Sequence, residues 1–499
     1  MTGMWRVLLA ALCVGAPTAQ AAVALDAPMG PQLARAMLAR WGYGATDSSV
    51  AAHAKLTPRA MLQRGLSQPS GLPAAAQAAL DALPDAPPLA ERWASYGPLR
   101  INAVRKTQDL ALQQSLVRQR NAMTRAAPQR RLIIMANSDN PAHEALLAFW
   151  LNHFSVFLNK NLLPWVVSDY TARLEAAMAD DRFESLLRAG FYHFAMQGYL
   201  DNINSTAPDS ELGRRARGGL NENLARELLE LHTLGVDGGY QQADVEALAR
   251  LISGVTAPDL GAANALADGG FALDARRRGE GVVTVLGETY ALADGRAAID
   301  ALLRRLALHP ATARRLSQKL AQRFVGQTPP ALIEQMSRAY LRSGGALSAT
   351  LWVMLASPAF ADSLRPGKAF RLPQDAVLAM ARAACQDQPI THPEPLLAML
   401  YAMGHAPWGR LTPDGYPQQA SEWQTPLAMA LRVQTAEALA LQRWKLTGPP
   451  DAAQACAPDW AAVTRSLGPW SAKTLAAQAG LPPAQQGVVM LSAPITLWR

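Results

Sequence analysis

Asn221–Gly254 reads NENLARELLELHTLGVDGGYQQADVEALARLISG, and it decides the fold class because leucines recur at helical spacing on both sides of a short glycine-rich break. Gly218-Gly219 opens the first helix, Asn221 fits an N-cap, and Glu222 sits in the first turn where a negative charge is favoured. At about 100° per residue, Glu222, Asn223, Arg226, Glu227 and Glu230 fall on one face and Leu224, Leu228, Leu229 and Leu231 on the other. The polar face has two readings. Glu222 with Arg226 and Arg226 with Glu230 are i, i+4 ion pairs of a solvated helix, each worth a few tenths of a kcal/mol. Alternatively the face closes a polar pocket against another element. The loop Gly235-Val236-Asp237-Gly238-Gly239-Tyr240 reads as a glycine stop and turn, with Asp244 in the first turn of the next helix.

The element that such a pocket needs is the stretch from Pro141 to Lys160, which reads as one helix. Leu146, Leu147, Phe149, Trp150, Leu151, Phe154 and Phe157 cover more than half its circumference, so it is mostly buried. Glu144, Asn152, Ser155 and Asn159 form its narrow polar stripe and must find partners. His153 falls in the apolar sector, where a core histidine with one hydrogen bond competes with a ligand or proton-transfer group.

Further out, Leu316, Leu320 and Phe324 repeat at i, i+4, i+8 after His309-Pro310, and Leu347–Phe360 and Pro426–Lys445 carry similar stripes. Only Val282–Leu286 looks extended, between Gly279 and Gly287. The expected class is all-α, a multi-helix globular array with at most a minor β element. Residues 22–135 read as an N-terminal helical portion, 140–362 as the central helical body and 368–499 as a C-terminal helical portion. The Pro- and Ala-rich stretches at 69–90 and 445–460 read as linkers or loops.

Residues 1–21 read as a signal peptide. Arg6 is followed by the apolar run Val7–Ala16 and the small-x-small site Ala19-Gln20-Ala21. That run is far short of the roughly 20 residues of a membrane span, and Leu12 before Cys13 does not suit a lipoprotein signal. Cleavage takes one positive charge from the formal +8 and leaves Cys385 and Cys456. In an oxidising compartment these form one disulfide, adding about 4 kcal/mol in the chain-entropy model, or stay as two buried thiols. The sequence leaves both open. A pI near 9.6 invites nucleic acid, but export and scattered arginines argue for solvated surface. The tightest basic run, Arg276-Arg277-Arg278, reads as a loop.

Hydrolase and phosphate-loop motifs are missing: there is no G-x-S-x-G, no S-x-x-K set and no Walker loop. A helical di-iron centre needs Glu-x-x-His pairs, whereas Thr233 follows Glu230 by three and His232 lies on a different face. The Gly235–Tyr240 loop lacks the alternating oxygens of a calcium hand. Metal and cofactor stay unassigned.

Three quoted stretches, WLNHF at 150–154, MQGYLDN at 196–202 and NENLARELLELHTLGVDGGY at 221–240, carry a resemblance to the bacterial domain-of-unknown-function family 1800. AMLARWGYG at 36–44, HPATARRLSQKLAQRFV at 309–325, Gly404, Pro413, Gly415-Tyr416 and Trp423 extend it over most of the mature chain. The resemblance implies a secreted, predominantly helical protein, periplasmic or released. It also implies, as candidate partner, an exported sulfatase-like protein of domain-of-unknown-function family 1501. Three positions depart from the pattern. Arg276-Arg277-Arg278 stands where the family carries a His-Asp pair, His193-Phe194 where it carries His-Pro, and Gln241 where it carries a hydroxyl cap.

Two functions follow as expectations. One is an exported accessory or binding component acting with the sulfatase-like partner, its polar centre a structural network or ligand pocket. The other is a secreted hydrolase with Glu227 or Glu230 as acid/base and Asn152, Asn223 and Arg226 holding substrate. His153, Asn221, Glu222 and His232 complete the candidate binding set. The hydrolase requires Glu227, Glu230 and Asn152 to line one pocket.

Overall fold

The computed structural model describes residues 22–84, 109–160, 162–215, 219–256, 271–449, 451–467 and 472–498. The expected signal peptide at 1–21, Cys13 and Gly218 lie outside them. Helix accounts for 62% of the described residues and strand for 5%, so the all-α expectation holds. The stripe Leu316, Leu320, Phe324 is buried along the Pro310–Phe324 helix, where the imidazole of His309 caps the N-terminus by accepting from Ala311 N–H at 3.1 Å.

The main core draws buried residues from Met29 through Phe360, so the N-terminal helices Gly30–Arg40 and Pro58–Ser67 share it with the central body. Trp41 stacks on Phe324 with centroids 4.0 Å apart. A second core joins Tyr43 and the end of the 28-residue helix Leu110–Asn137 to residues 376–491. Cys385 and Cys456 sit in that second core and are joined by a disulfide, with Cα atoms 4.8 Å apart.

Several helices are shorter than their periodicity suggests. The one starting at Pro141 ends at His153, so Ser155 and Asn159 are not on it. The hydroxyl of Tyr170 takes the Phe154 carbonyl at 2.9 Å, and Leu158 N–H bonds Trp408 O at 3.0 Å, giving the chain partners off the helix axis. Leu347–Phe360 is two helices, broken where Ser357 caps Pro358–Ser363 by accepting from Phe360 N–H. Pro426–Lys445 stops at Ala440, and Lys445 begins a short strand paired with Gln454–Ala455. The expected linker at 69–90 instead contains the helix Ala74–Ala82, because Ala76, Ala79 and Leu80 bury a face beside Ile133.

The expected extended stretch Val282–Leu286 is a strand over Val282–Val285, which pairs antiparallel with Glu288–Ala291. Leu286 and Gly287 both have positive φ, 51° and 83°, which a two-residue hairpin turn of primed type requires. Asp244 reaches across to this turn, accepting from Leu286 N–H at 2.6 Å with one oxygen and from Gln241 N–H at 2.8 Å with the other. The helix start that lacks a hydroxyl residue at Gln241 is thereby closed by Asp244.

Candidate functional site

Asn221 enters its helix by an Asx turn, its side-chain oxygen accepting from Asn223 N–H at 2.9 Å while its amide donates to Asp201 O at 3.2 Å. The helix proper is one α-segment, Asn223–Glu227, followed by a π-turn, Leu228–His232. The Thr233 hydroxyl donating to Leu228 O at 2.6 Å and Gly235 N–H to Leu229 O at 3.1 Å close it. An i→i+5 turn advances less per residue than an α-turn, so the face projected at about 100° per residue fails beyond Glu227.

The outer part of that face is the ion-pair ladder. Arg226 meets Glu222 at 3.2 Å and Glu230 at 3.7 Å, and the Gln242 amide bridges Arg226 and Glu222 at 2.8 and 2.9 Å. Asn223 is exposed. Arg226 and Asn223 thus belong to a solvated surface.

The inner part meets residues from three other segments. Glu227 is half-buried, and burial raises its carboxyl above the ordinary value, with the Glu230 charge adding to the effect, Arg226 opposing it and Asp414 reinforcing it. Burial and Glu230 push the Tyr240 phenol up to about 12. Arg315 and Lys319 approach from the Pro310–Phe324 helix, the former donating to Leu231 O at 3.4 Å.

Lys319 is held by a histidine relay. The Nε2 of His153 lies 3.1 Å from the carbonyl of His232, an acceptor only, so Nε2 carries the proton and Nδ1 accepts from Lys319 Nζ at 2.9 Å. Burial, then Lys319, depresses the His153 imidazole well below its usual range. Burial also brings His232 down to about 3, and its Nε2 has no hydrogen-bond partner among the described residues. Both histidines are therefore neutral core groups at pH 7. Lys319 itself falls to about 7 through burial and the Arg315 charge, against the pull of Asp414.

Asp414 reaches the cluster because Asn152 holds its loop. The Asn152 side chain accepts from Tyr416 N–H at 2.7 Å and donates to Tyr416 O at 3.1 Å. Gly415 has φ +75°, and a Cβ there would collide with the Asn152 carbonyl oxygen. Arg410 and Thr412 fix the Asp414 carboxylate at 2.7 and 2.6 Å. Asn152 is thus a backbone clamp, and the cavity it lines does not have Glu227 or Glu230 on its walls. Sequence reasoning passed over Arg315, Lys319 and Asp414, although Lys319 lies inside HPATARRLSQKLAQRFV and Asp414 precedes Gly415-Tyr416. Among the described residues, no group of three or more His, Cys, Asp or Glu could hold a metal ion, and no helix is long and apolar enough to cross a membrane.

The model of a family described as proteins of unknown function, DUF1800, matches residues 36–490. The chain belongs to that family. No curated protein and no solved structure matches it. The positions at which the chain departs from the expected DUF1800 pattern all have structural employment. Arg278 is buried and donates to the carbonyls of Leu251, Ser253 and Leu292 at 3.1, 3.1 and 2.8 Å, while Arg276 and Arg277 pair with Asp274. The start of this run, Ala275–Arg277, is a single 3-10 turn rather than the expected loop, and the Asp274 carboxylate caps it by accepting from Arg276 N–H at 3.1 Å. His193 caps the helix Phe194–Tyr199 through Nδ1 and meets Asp169 through Nε2 at 2.9 Å.

Proposed function

We propose that this DUF1800 protein is an exported accessory component that binds a sulfatase-like exported partner and has no hydrolytic centre of its own. The observation that carries this reading is the employment of the side chains a hydrolase would use to hold substrate. Asn152 is spent on the Tyr416 backbone, His153 on Lys319 and His232, and Arg226 on Glu222 and Gln242. Such groups rigidify a scaffold, and rigid scaffolds suit recognition by an outer surface.

The test is co-expression with an exported family-1501 protein, followed by affinity capture of the tagged mature chain. Capture that survives Glu227→Gln and is lost on charge reversal at an exposed surface supports the accessory role. Absence of capture at low and physiological salt rejects it. Mass analysis of the periplasmic form, expected to begin at Ala22, tests the export half of the proposal.

A second reading keeps a hydrolase, without the shared Asn152 pocket that the sequence expectation required, and one observation favours it. Glu227 is a carboxyl with raised pKa beside Glu230 and Asp414, and Asp414 also acts on Lys319, whose amine burial brings down to about 7, environments of the kind that general acid–base catalysis uses. In that case Glu227 donates the proton and Lys319 or Asp414 orients the leaving group. Hydrolysis of an envelope polymer abolished by Glu227→Gln, with folding intact, would establish it.

A further inference from the structure

The 28-residue helix Leu110–Asn137 is buried at one end only. Its buried residues begin at Ala126, and Leu132, Met135 and Ala136 seat its last turns in the second core. Over Leu110–Arg125 no residue is buried. At 1.5 Å per residue this stretch is a rod roughly 24 Å long. The Asp109 carboxylate caps its start by accepting from Leu112 N–H at 3.0 Å, and Pro128 interrupts the backbone ladder where the packed half begins.

The two sides of the rod differ when projected at about 100° per residue. Leu116 and Met123 fall on the inner side, where Met123 packs against the main core, and Arg120 ties the rod to the body by donating to Asn159 O at 3.0 Å. The outer side carries Leu110, Gln114, Val117, Arg118, Asn121 and Arg125, all of them exposed. Leu110 is 68% exposed and Val117 58%, so two aliphatic side chains stand in water on one face. The inner side already has its own apolar residues, and these two are not part of it.

The charge on the rod has one sign. Arg118, Arg120 and Arg125 are its charged side chains, and no acidic residue occurs between Asp109 and Asp139. Among the described residues neither Arg118 nor Arg125 meets a carboxylate, whereas exposed arginines elsewhere do, Arg59 with Asp26 at 2.6 Å and Arg338 with Glu334 at 2.7 Å. A face of unpaired guanidinium groups calls for an anionic partner. A nucleic acid or an acidic polysaccharide would satisfy the arginines and leave Leu110 and Val117 in water. A lipid surface takes both, because aliphatic side chains enter the boundary between headgroups and acyl chains while arginines stay at the phosphates.

We propose that the outer face of Leu110–Arg125 is a peripheral docking surface for an anionic lipid membrane, with Leu110 and Val117 entering the headgroup boundary and Arg118 and Arg125 meeting the phosphates. Two aliphatic side chains and a few arginines make the attachment reversible. The surface shares no residue with the Glu227 cluster and does not rest on the partner reading, so failure of partner capture leaves it standing.

The experiment is co-sedimentation of the full mature protein with vesicles of phosphatidylglycerol and phosphatidylcholine, and with vesicles of phosphatidylcholine alone, at low and physiological salt. The protein partitions onto the anionic vesicles, less so at the higher salt, and stays in solution with the neutral ones. Arg118→Ala with Arg125→Ala lowers the partition coefficient about 25-fold, at about fivefold for each arginine near an anionic surface. Leu110→Ser with Val117→Ser keeps every charge and lowers it about tenfold. All four side chains are exposed, so both double variants keep the wild-type melting temperature. The proposal is overturned by no binding to the anionic vesicles at low salt, by equal binding to neutral vesicles, or by arginine variants that partition like the wild type. Undiminished binding of the Leu110, Val117 variant also overturns it, since bare charge attraction would then remain, which any polyanion satisfies.

Discussion

The cavity lined by Asn152 and the cluster around Glu227 are both polar regions in a helical protein, but they balance charge differently. In the cavity each ion has a dedicated counter-ion: Arg323 with Asp375, and Arg131 with Glu144. Around Glu227 the pairing is incomplete: Arg226 meets Glu230 at 3.7 Å and Arg410 meets Asp414 at 2.7 Å, but Glu227 faces both of those carboxylates and Lys319 faces Arg315. Paired charges fix a geometry, whereas crowded like charges move pKa values. The first arrangement suits a fixed scaffold and the second a centre whose protonation changes.

The sharpest way to test the paired side is to break it. Arg323→Met leaves the Asp375 carboxylate buried without its guanidinium, and the expected loss is about 3–5 kcal/mol in urea unfolding. Adding Asp375→Leu should return most of that stability, because the uncompensated charge is gone. The solvated pair of the Asn221–His232 segment is the control: Arg226→Ala should cost only a few tenths of a kcal/mol. Equal costs for Arg323→Met and Arg226→Ala would erase the distinction between the two regions.

The next effect concerns the loop shared by both regions. Gly415→Ala forces an L side chain to φ +75° and into the Asn152 carbonyl, at an expected cost of about 1–3 kcal/mol. Limited proteolysis should then cut in 410–416, and Asn152→Ala should produce the same cut. An intact loop in both variants would mean that Asn152 does not position Asp414.

How much of this was legible in the sequence depends on the range of the interaction. Leu286, read as extended, belongs to the turn, but the strand at Val282–Val285 and the buried stripe Leu316, Leu320, Phe324 are local patterns and can be read directly. The end of the Pro141 helix cannot, because Phe154 leaves it for a hydroxyl on Tyr170 and Leu158 for a carbonyl on Trp408. The π-turn at Leu228–His232 has no signature in spacing, so a regular projection puts Glu227 and Glu230 on one face. Asp375 and Arg323 lie 52 residues apart, and nothing in either neighbourhood announces the pair. Asn152 stands out in the sequence as a polar group needing partners, but its partner, the backbone of Tyr416, lies 264 residues away.

On the crowded side, Lys319 should give the pH dependence its sign. Its pKa is near 7 in the folded protein and 10.5 for the ordinary group, so between about pH 7 and 9 the unfolded chain binds more protons at this site. Stability therefore rises with pH across that window, and the rise should disappear in Lys319→Met. Unfolding curves at three pH values check it. A stability unchanged between about pH 7 and 9 would put the Lys319 ammonium in the ordinary range and remove the cluster's main titrating base.

The smallest effect discriminates most finely. The Glu227 carboxyl is raised above 4.5, so from the unfolded value up to the raised one the folded protein binds more protons, and stability falls as pH rises through that window. Above it the folded state carries a carboxylate that its surroundings disfavour. Glu227→Gln should then gain a few tenths of a kcal/mol at pH 7, the effect being small because the group is half-exposed and screened. Near pH 4 the gain should vanish, since the wild-type carboxyl is largely protonated there. Glu222→Gln, which loses an ion pair with Arg226 instead, should shift stability slightly the other way at pH 7. If Glu227→Gln destabilised the protein at pH 7, its carboxylate would be a stabilising partner like Asp375, and both polar regions would be scaffolds of the same kind.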